Sequence, residues 1–112
     1  MQRGAVWWAD LPAPSASEPG YRRPVLIVQS NAFNRSSIRT IVAVVLTSNL
    51  NLARAPGNVL VNRNESGLPK DSVANVSQII TVDRGFLTEK AGIIRGETMR
   101  LVDEGLKLVL AV

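Results

Sequence analysis

The chain has 112 residues, 46% of them apolar but only 4% aromatic, so it holds one domain with an aliphatic core. Ten arginines and three lysines against nine acidic residues leave a net charge of +4 and an isoelectric point of about 10.4. Cysteine and histidine are absent, which removes disulfides, thiol nucleophiles, the commonest metal ligand and the commonest general acid–base.

Met1-Gln2-Arg3-Gly4 lacks the apolar stretch of a signal peptide, and no run of eighteen apolar residues follows. A cytoplasmic protein without a membrane-spanning helix is expected. Val6-Trp7-Trp8-Ala9 reads as the first strand, closed by Asp10-Leu11-Pro12. Its tryptophans alternate in face, so one belongs to the core and the other can serve an interface or a nucleic-acid groove, with packing the simpler role. Residues 12–20 hold three of the six prolines and read as a loop, either a connector or a lid. Val25 to Gln29 is the second strand and Arg39 to Leu46 the third, with a polar insert between them. Ala55-Pro56-Gly57 marks a turn, Asn58 to Asn62 alternates like a half-buried strand, and Asn64 to Pro69 is a further turn. Ser72 to Val76 and Gln78 to Val82 are one bent strand or two. Beyond Asp83 the period changes: Met99, Val102, Leu106 and Val109 share one face of a helix over Thr98 to Val109, begun by Gly96-Glu97. Asp103, Glu104 and Lys107 fall on its solvent side. The pattern predicts a mainly β domain, a twisted antiparallel sheet of about five strands with one C-terminal α-helix.

The arginine excess has two readings. A planar guanidinium suits phosphate better than the point charge of lysine, so an anionic partner, nucleic acid or acidic protein, is one. A basic but inert surface is the other, and composition does not separate them. The carboxylates show no dense metal-ligand spacing, so neither a metal nor a cofactor is expected.

Five pieces of the chain, in order, resemble one family. They are Gly4-Ala5-Val6-Trp7-Trp8-Ala9-Asp10-Leu11; Glu18 five residues before Arg23-Pro24-Val25-Leu26-Ile27-Val28; Leu46-Thr47-Ser48; Asp71-Ser72-Val73; and Gln78-Ile79-Ile80-Thr81-Val82-Asp83. Together, over nearly the whole chain, they are similar to the MazF/PemK family of bacterial toxins. The resemblance implies an SH3-like β-barrel with an appended helix, spanning residues 1–112 as a single toxin domain and acting as a symmetric homodimer. It implies a sequence-specific endoribonuclease that cuts single-stranded RNA without a metal, and a cognate acidic antitoxin whose flexible tail covers the RNA groove.

Metal-free RNA cleavage needs a base for the 2′-hydroxyl, charge stabilisation at the phosphorane and a proton for the leaving 5′-oxygen. The arginine of the Arg-Pro pair is the catalytic one in the family, which gives Arg23 the second task, two guanidinium donors clamping non-bridging oxygens. Arg22 is expected to grip a flanking phosphate. The Thr47 hydroxyl is placed to bond the scissile phosphate or orient the 2′-hydroxyl, although threonine is also comfortable in any strand. Glu18 is the natural base, although an exposed loop glutamate is ordinarily inert and its reference pKa of about 4.3 is low for a base. Ser48, Asn49 and Gln78 are the further expected RNA contacts. Two positions depart from the family: the residue before Gln78, acidic in many members, is Ser77, and the arginine of the following Arg-Thr is Ile80. The first puts the identity of the base in question. A non-catalytic module of the same fold that binds RNA or protein is therefore the second reading. A gyrase poison is a distant third, because its Trp-containing C-terminal tail is missing here.

Overall fold

The computed structural model describes residues 1–12, 16 and 21–112. Among these residues six strands form one antiparallel sheet: β1 (Ala5–Leu11), β2 (Tyr21–Ile27), β3 (Thr40–Thr47), β4 (Val59–Val61), β5 (Ser72–Asp83) and β6 (Leu87–Ile93), in the order β4-β5-β3-β2-β1-β6. Short helices α1 (Asn31–Asn34) and α2 (Arg63–Ser66) fill connections, as do 3-10 turns at Leu50–Arg54 and Arg84–Phe86, and α3 (Gly96–Leu110) closes the chain. The sheet is mainly β as expected, with six strands rather than about five. The two β-rich runs after Ser72 are a single twelve-residue strand.

β6 was not legible because its middle, Thr88-Glu89-Lys90, is exposed and charged. That is how an edge strand discourages further pairing. The expected turn at Asn64 to Pro69 contains α2, which begins under an Asn62 cap, the Asn64 N–H donating to Asn62 Oδ1 at 2.8 Å, and ends at Gly67 with φ +76. From there α2 reaches across to β6 at the far edge of the sheet. The approach is so close that a Cβ on Gly67 would stand 2.0 Å from the Ala91 carbonyl oxygen, and one on Gly92 2.5 Å from that of Ser66. Two glycines thus let backbone meet backbone and curl the sheet toward a barrel.

The buried side chains fall into two clusters. One joins Val6, Leu26, Val44, Leu46, Val61 and Ala74 to Val102 of α3. The other gathers Ala5, Ala9, Val25, Ile27, Ile41 and Ala43 on the opposite face, with Trp7 packed against it. In α3, Val102 and Gly105 are the buried residues, and Gly105 lies where a Cβ would be 2.1 Å from the Gly57 carbonyl oxygen. Val109, expected on the core face, is exposed, because the close approach is made one turn earlier at Gly105. Asp103, expected to face water, is instead half-buried in an ion pair with Arg3 at 2.6 Å.

Candidate active site

β2 and β3 pair only from Val25–Val45 inward. Beyond that couple they part. Arg22, Arg23 and Pro24 stay with β1, opposite Asp10, Ala9 and Trp8, while Leu46 and Thr47 stay with β5, opposite Ala74 and Val73. Pro24 has no N–H to offer a neighbour, which suits a residue placed where a ladder stops. The parting opens a cleft of about 300 Å³ between Arg22, Arg23 and Pro24 on one lip and Leu46 and Ser48 on the other, with Trp8 and Leu68 among its walls. Ser48, Pro69 and Lys70 also border a second hollow of about 470 Å³, which continues past Arg63, Asn64 and Asp71. Four cationic side chains, Arg22, Arg23, Arg63 and Lys70, border the two hollows. Arg63 and Lys70 carry no sequence signal of their own, because only folding of the α2 turn brings them beside Ser48.

Strand alternation divides the expected residues between two faces. Arg23 lies opposite Ala9 and two residues from Val25, while Thr47 lies two residues from Val45. Those two therefore share a face. Arg22 belongs to the other, with Asp10 and Trp8. Its guanidinium donates to Glu89 Oε2 at 2.8 Å and to Thr88 Oγ1 at 3.0 Å. It also stands 3.8 Å from Asp10 and 4.8 Å above the centre of the Trp8 ring. The expectation for the tryptophans resolves accordingly: Trp8 borders the cleft under Arg22, and Trp7 packs against core with its indole N–H buried and without a hydrogen-bond partner among the described residues.

The remaining candidates are placed as follows. The Thr47 Oγ1 accepts from the Asn49 N–H at 3.2 Å, and Asn49 in turn caps the next turn by accepting from the Asn51 N–H at 3.2 Å. Ser48 borders both hollows. Gln78 ends a three-residue excursion of β5, Val76-Ser77-Gln78, between the successive couples Val44–Ile79 and Val45–Asn75. Its carboxamide oxygen accepts from Asn75 Nδ2 at 3.2 Å, and the Ser77 hydroxyl donates to Asn75 Oδ1 at 2.9 Å. Asn75, which sequence reasoning passed over, stands opposite Val45 and so on the face of Thr47. Glu18 lies outside the described residues.

The family model of PemK-like, MazF-like toxins of type II toxin–antitoxin systems matches residues 2–110. The chain belongs to the MazF/PemK family. Endoribonuclease MazF6 of Mycobacterium tuberculosis is 44% identical over 110 residues, covering 98% of this chain and 96% of the relative. Endoribonuclease EndoA of Bacillus subtilis is 39% identical over 111 residues, covering 99% and 95%. Among solved structures, a mycobacterial endoribonuclease in complex with its cognate antitoxin superposes with a TM-score of 0.80 at 27% identity, over 100% of this chain and 96% of that one. The fold expected from the resemblance is thereby the fold found: a curled antiparallel sheet with one C-terminal helix, shared with the MazF/PemK toxins. No described helix is long and apolar enough to cross a membrane.

Proposed function

We propose that this chain is a toxin endoribonuclease that cuts single-stranded RNA at the parting of β2 and β3. The observation that carries the reading is the placement of Arg23 and Thr47 on one face at that parting, in a chain 44% identical over nearly its whole length to a protein named an endoribonuclease. In this reading the RNA 2′-hydroxyl attacks the adjacent phosphorus, the P–O5′ bond breaks, and a 2′,3′-cyclic phosphate and a 5′-hydroxyl result. Arg23 stabilises the charge that gathers on the non-bridging oxygens. Thr47 orients the 2′-hydroxyl or the phosphate. Arg63 and Lys70 extend the cationic track along which flanking phosphates lie. Neither a metal nor a cofactor has a part in this scheme, because the guanidinium itself supplies the positive charge.

The same reading supplies the partners. A basic cleft suits an acidic, poorly structured antitoxin segment that occupies it in place of RNA, and a structural neighbour is an endoribonuclease with its cognate antitoxin. A homodimer is supported by exposed Leu60, Leu101, Leu108, Leu110 and Val112, most of which border an open groove of about 950 Å³ between β4 and α3. The cytoplasm, where RNA is found, is the compartment this activity requires.

Incubation of the purified protein with a long RNA in excess EDTA, followed by mapping of the new 5′ ends, tests the reading. Discrete cleavage sites with 5′-hydroxyl ends are expected. Binding without any cleavage would transfer the weight to the non-catalytic module, which Ser77 in place of an acidic residue favours.

A further inference from the structure

The polar hollow of about 470 Å³ beside the cleft is bordered by one fixed acceptor and one fixed donor. The acceptor is Asp71. Its Oδ1 accepts from the Arg63 N–H at 2.9 Å, and its Oδ2 has no hydrogen-bond partner among the described residues. Asp71 and Glu65 are the described carboxylates with no cation within ion-pair reach, and Glu65 is taken up by the Thr98 hydroxyl at 2.8 Å. The donor is Asn62, whose Oδ1 accepts from the Asn64 N–H at 2.8 Å. An amide N–H only donates, so the carbonyl end of Asn62 must face it, and Nδ2 forms the other edge. That Nδ2 also has no partner among the described residues.

Ser48, Pro69 and Lys70 border this hollow and the cleft alike, so a nucleotide beside the cleaved bond reaches it. Arg63 and Lys70 answer phosphate there, but a carboxylate repels phosphate, and Asp71 calls for a ligand group that donates. Adenine, cytosine and guanine each set an exocyclic amine next to an acceptor atom, which meets a carboxylate and a carboxamide N–H side by side. Uracil has one N–H on its pairing edge, flanked by two carbonyl oxygens that a carboxylate repels. Pro69 and the exposed Leu50 supply apolar surface for the ring. We propose that the hollow is a base-reading subsite, in which Asp71 and Asn62 select a base with an exocyclic amine in a nucleotide beside the cleaved bond. This rests on the nuclease reading and deepens it.

The test is Asp71→Asn in the whole chain, on an RNA pool randomised at the nucleotides flanking a mapped cleavage site, with the cut and uncut fractions sequenced. The Arg63 N–H must still be accepted, so the new carboxamide turns its oxygen to Arg63 and its Nδ2 to the hollow. An acceptor thereby becomes a donor with the shape unchanged. In the wild type one flanking position should favour adenine, cytosine or guanine over uracil by about tenfold in kcat/KM. In Asp71→Asn that position alone should turn toward uracil. Asn62→Asp keeps its bond to the Asn64 N–H but loses the donor, and should weaken the preference at the same position. Lys70→Ala should raise KM on every sequence alike. An Asp71 that only braces the α2 turn would be served as well by asparagine. An unchanged preference in a folded Asp71→Asn, or uracil favoured at every flanking position by the wild type, would therefore overturn the subsite and leave the nuclease reading standing. Should Asp71→Asn not fold, Asn62→Asp decides, and an unchanged preference there overturns the proposal. A wild type that neither cuts nor binds RNA would remove the nuclease reading and the subsite together.

Discussion

The closure of the sheet by α2 and β6 predicts an ordered series of glycine substitutions. At Gly67, alanine meets two obstacles: φ is +76 and its Cβ would stand 2.0 Å from the Ala91 carbonyl oxygen. The left-handed backbone costs about 1–2 kcal/mol for a residue with a Cβ, and forcing an atom into packed backbone costs about 1–3 kcal/mol. The sum is about 2–5 kcal/mol, against roughly 5–15 kcal/mol of stability for a domain of this kind. Gly92→Ala meets only the steric obstacle, its Cβ 2.5 Å from the Ser66 carbonyl oxygen. Gly96→Ala meets only the backbone one, at φ +61 with nothing within 4 Å. Thermal unfolding followed by circular dichroism should rank them, with Gly67→Ala lowest by roughly 10–20 °C and the other two each closer to wild type. Gly67→Ala and Gly92→Ala should not add, since they press on the same contact. A Gly67→Ala protein that melted no lower than Gly96→Ala would mean that the α2–β6 contact does not hold the curl.

Arg23→Ala should slow cleavage on the order of a hundredfold or more, and Arg23→Lys should restore little of it, because one ammonium does not span two oxygens. Thr47→Ala should lower the rate while melting like the wild type, measured on the same RNA. The Asp83 carboxyl is held below its ordinary value first by the Gly85 N–H and then by Arg39, and Arg100 lowers that of Glu97. Both therefore stabilise the fold above the usual carboxylate range of about 4, and that support is lost as pH falls through the lowered values. The melting temperature should accordingly fall on the acid side, less steeply in Asp83→Asn, in a pH series of melts. Leu108→Glu, on the exposed face of α3, should give the monomer mass by light scattering where the wild type gives twice that.

What the sequence disclosed was local. β-branched runs marked β3 and β5, the Trp-Trp and Arg-Pro segments marked β1 and β2, and the 3–4 spacing of Met99, Val102 and Leu106 marked α3. What it withheld was created by contacts far apart in the chain. β2 parts from β3 at Pro24, which pairs with Trp8 of β1 but meets no partner on β3, and Arg22 is held by Glu89, 67 residues away. Asn58 and Asn75, 17 residues apart, looked like ordinary polar residues in a turn and a strand. Even the register that puts Arg22 and Arg23 on opposite faces required knowing that β2 begins at Tyr21 rather than Val25.

That division of the two arginines bears on where the base must come from. Arg22 is bonded to Glu89 and Thr88 and stands beside Asp10, and in the proposed reading the phosphorane is assigned to Arg23 of the Arg-Pro pair. Arg23, Thr47 and Gln78 are a cation, a hydroxyl and a carboxamide, and none is a base at neutral pH. The Ser77 hydroxyl is committed to Asn75. In the proposed reading the proton of the 2′-hydroxyl passes to a carboxylate, and Glu18, five residues before Arg23 in the sequence, is the candidate. A glutamate acting as the base must be ionised, so the rate should rise with pH until the carboxyl is ionised and then level off. Glu18→Gln should abolish that rising limb in a pH–rate profile while leaving RNA affinity nearly unchanged. If the variant cleaves like the wild type at every pH, Glu18 is not the base, and proton removal would have to pass to solvent.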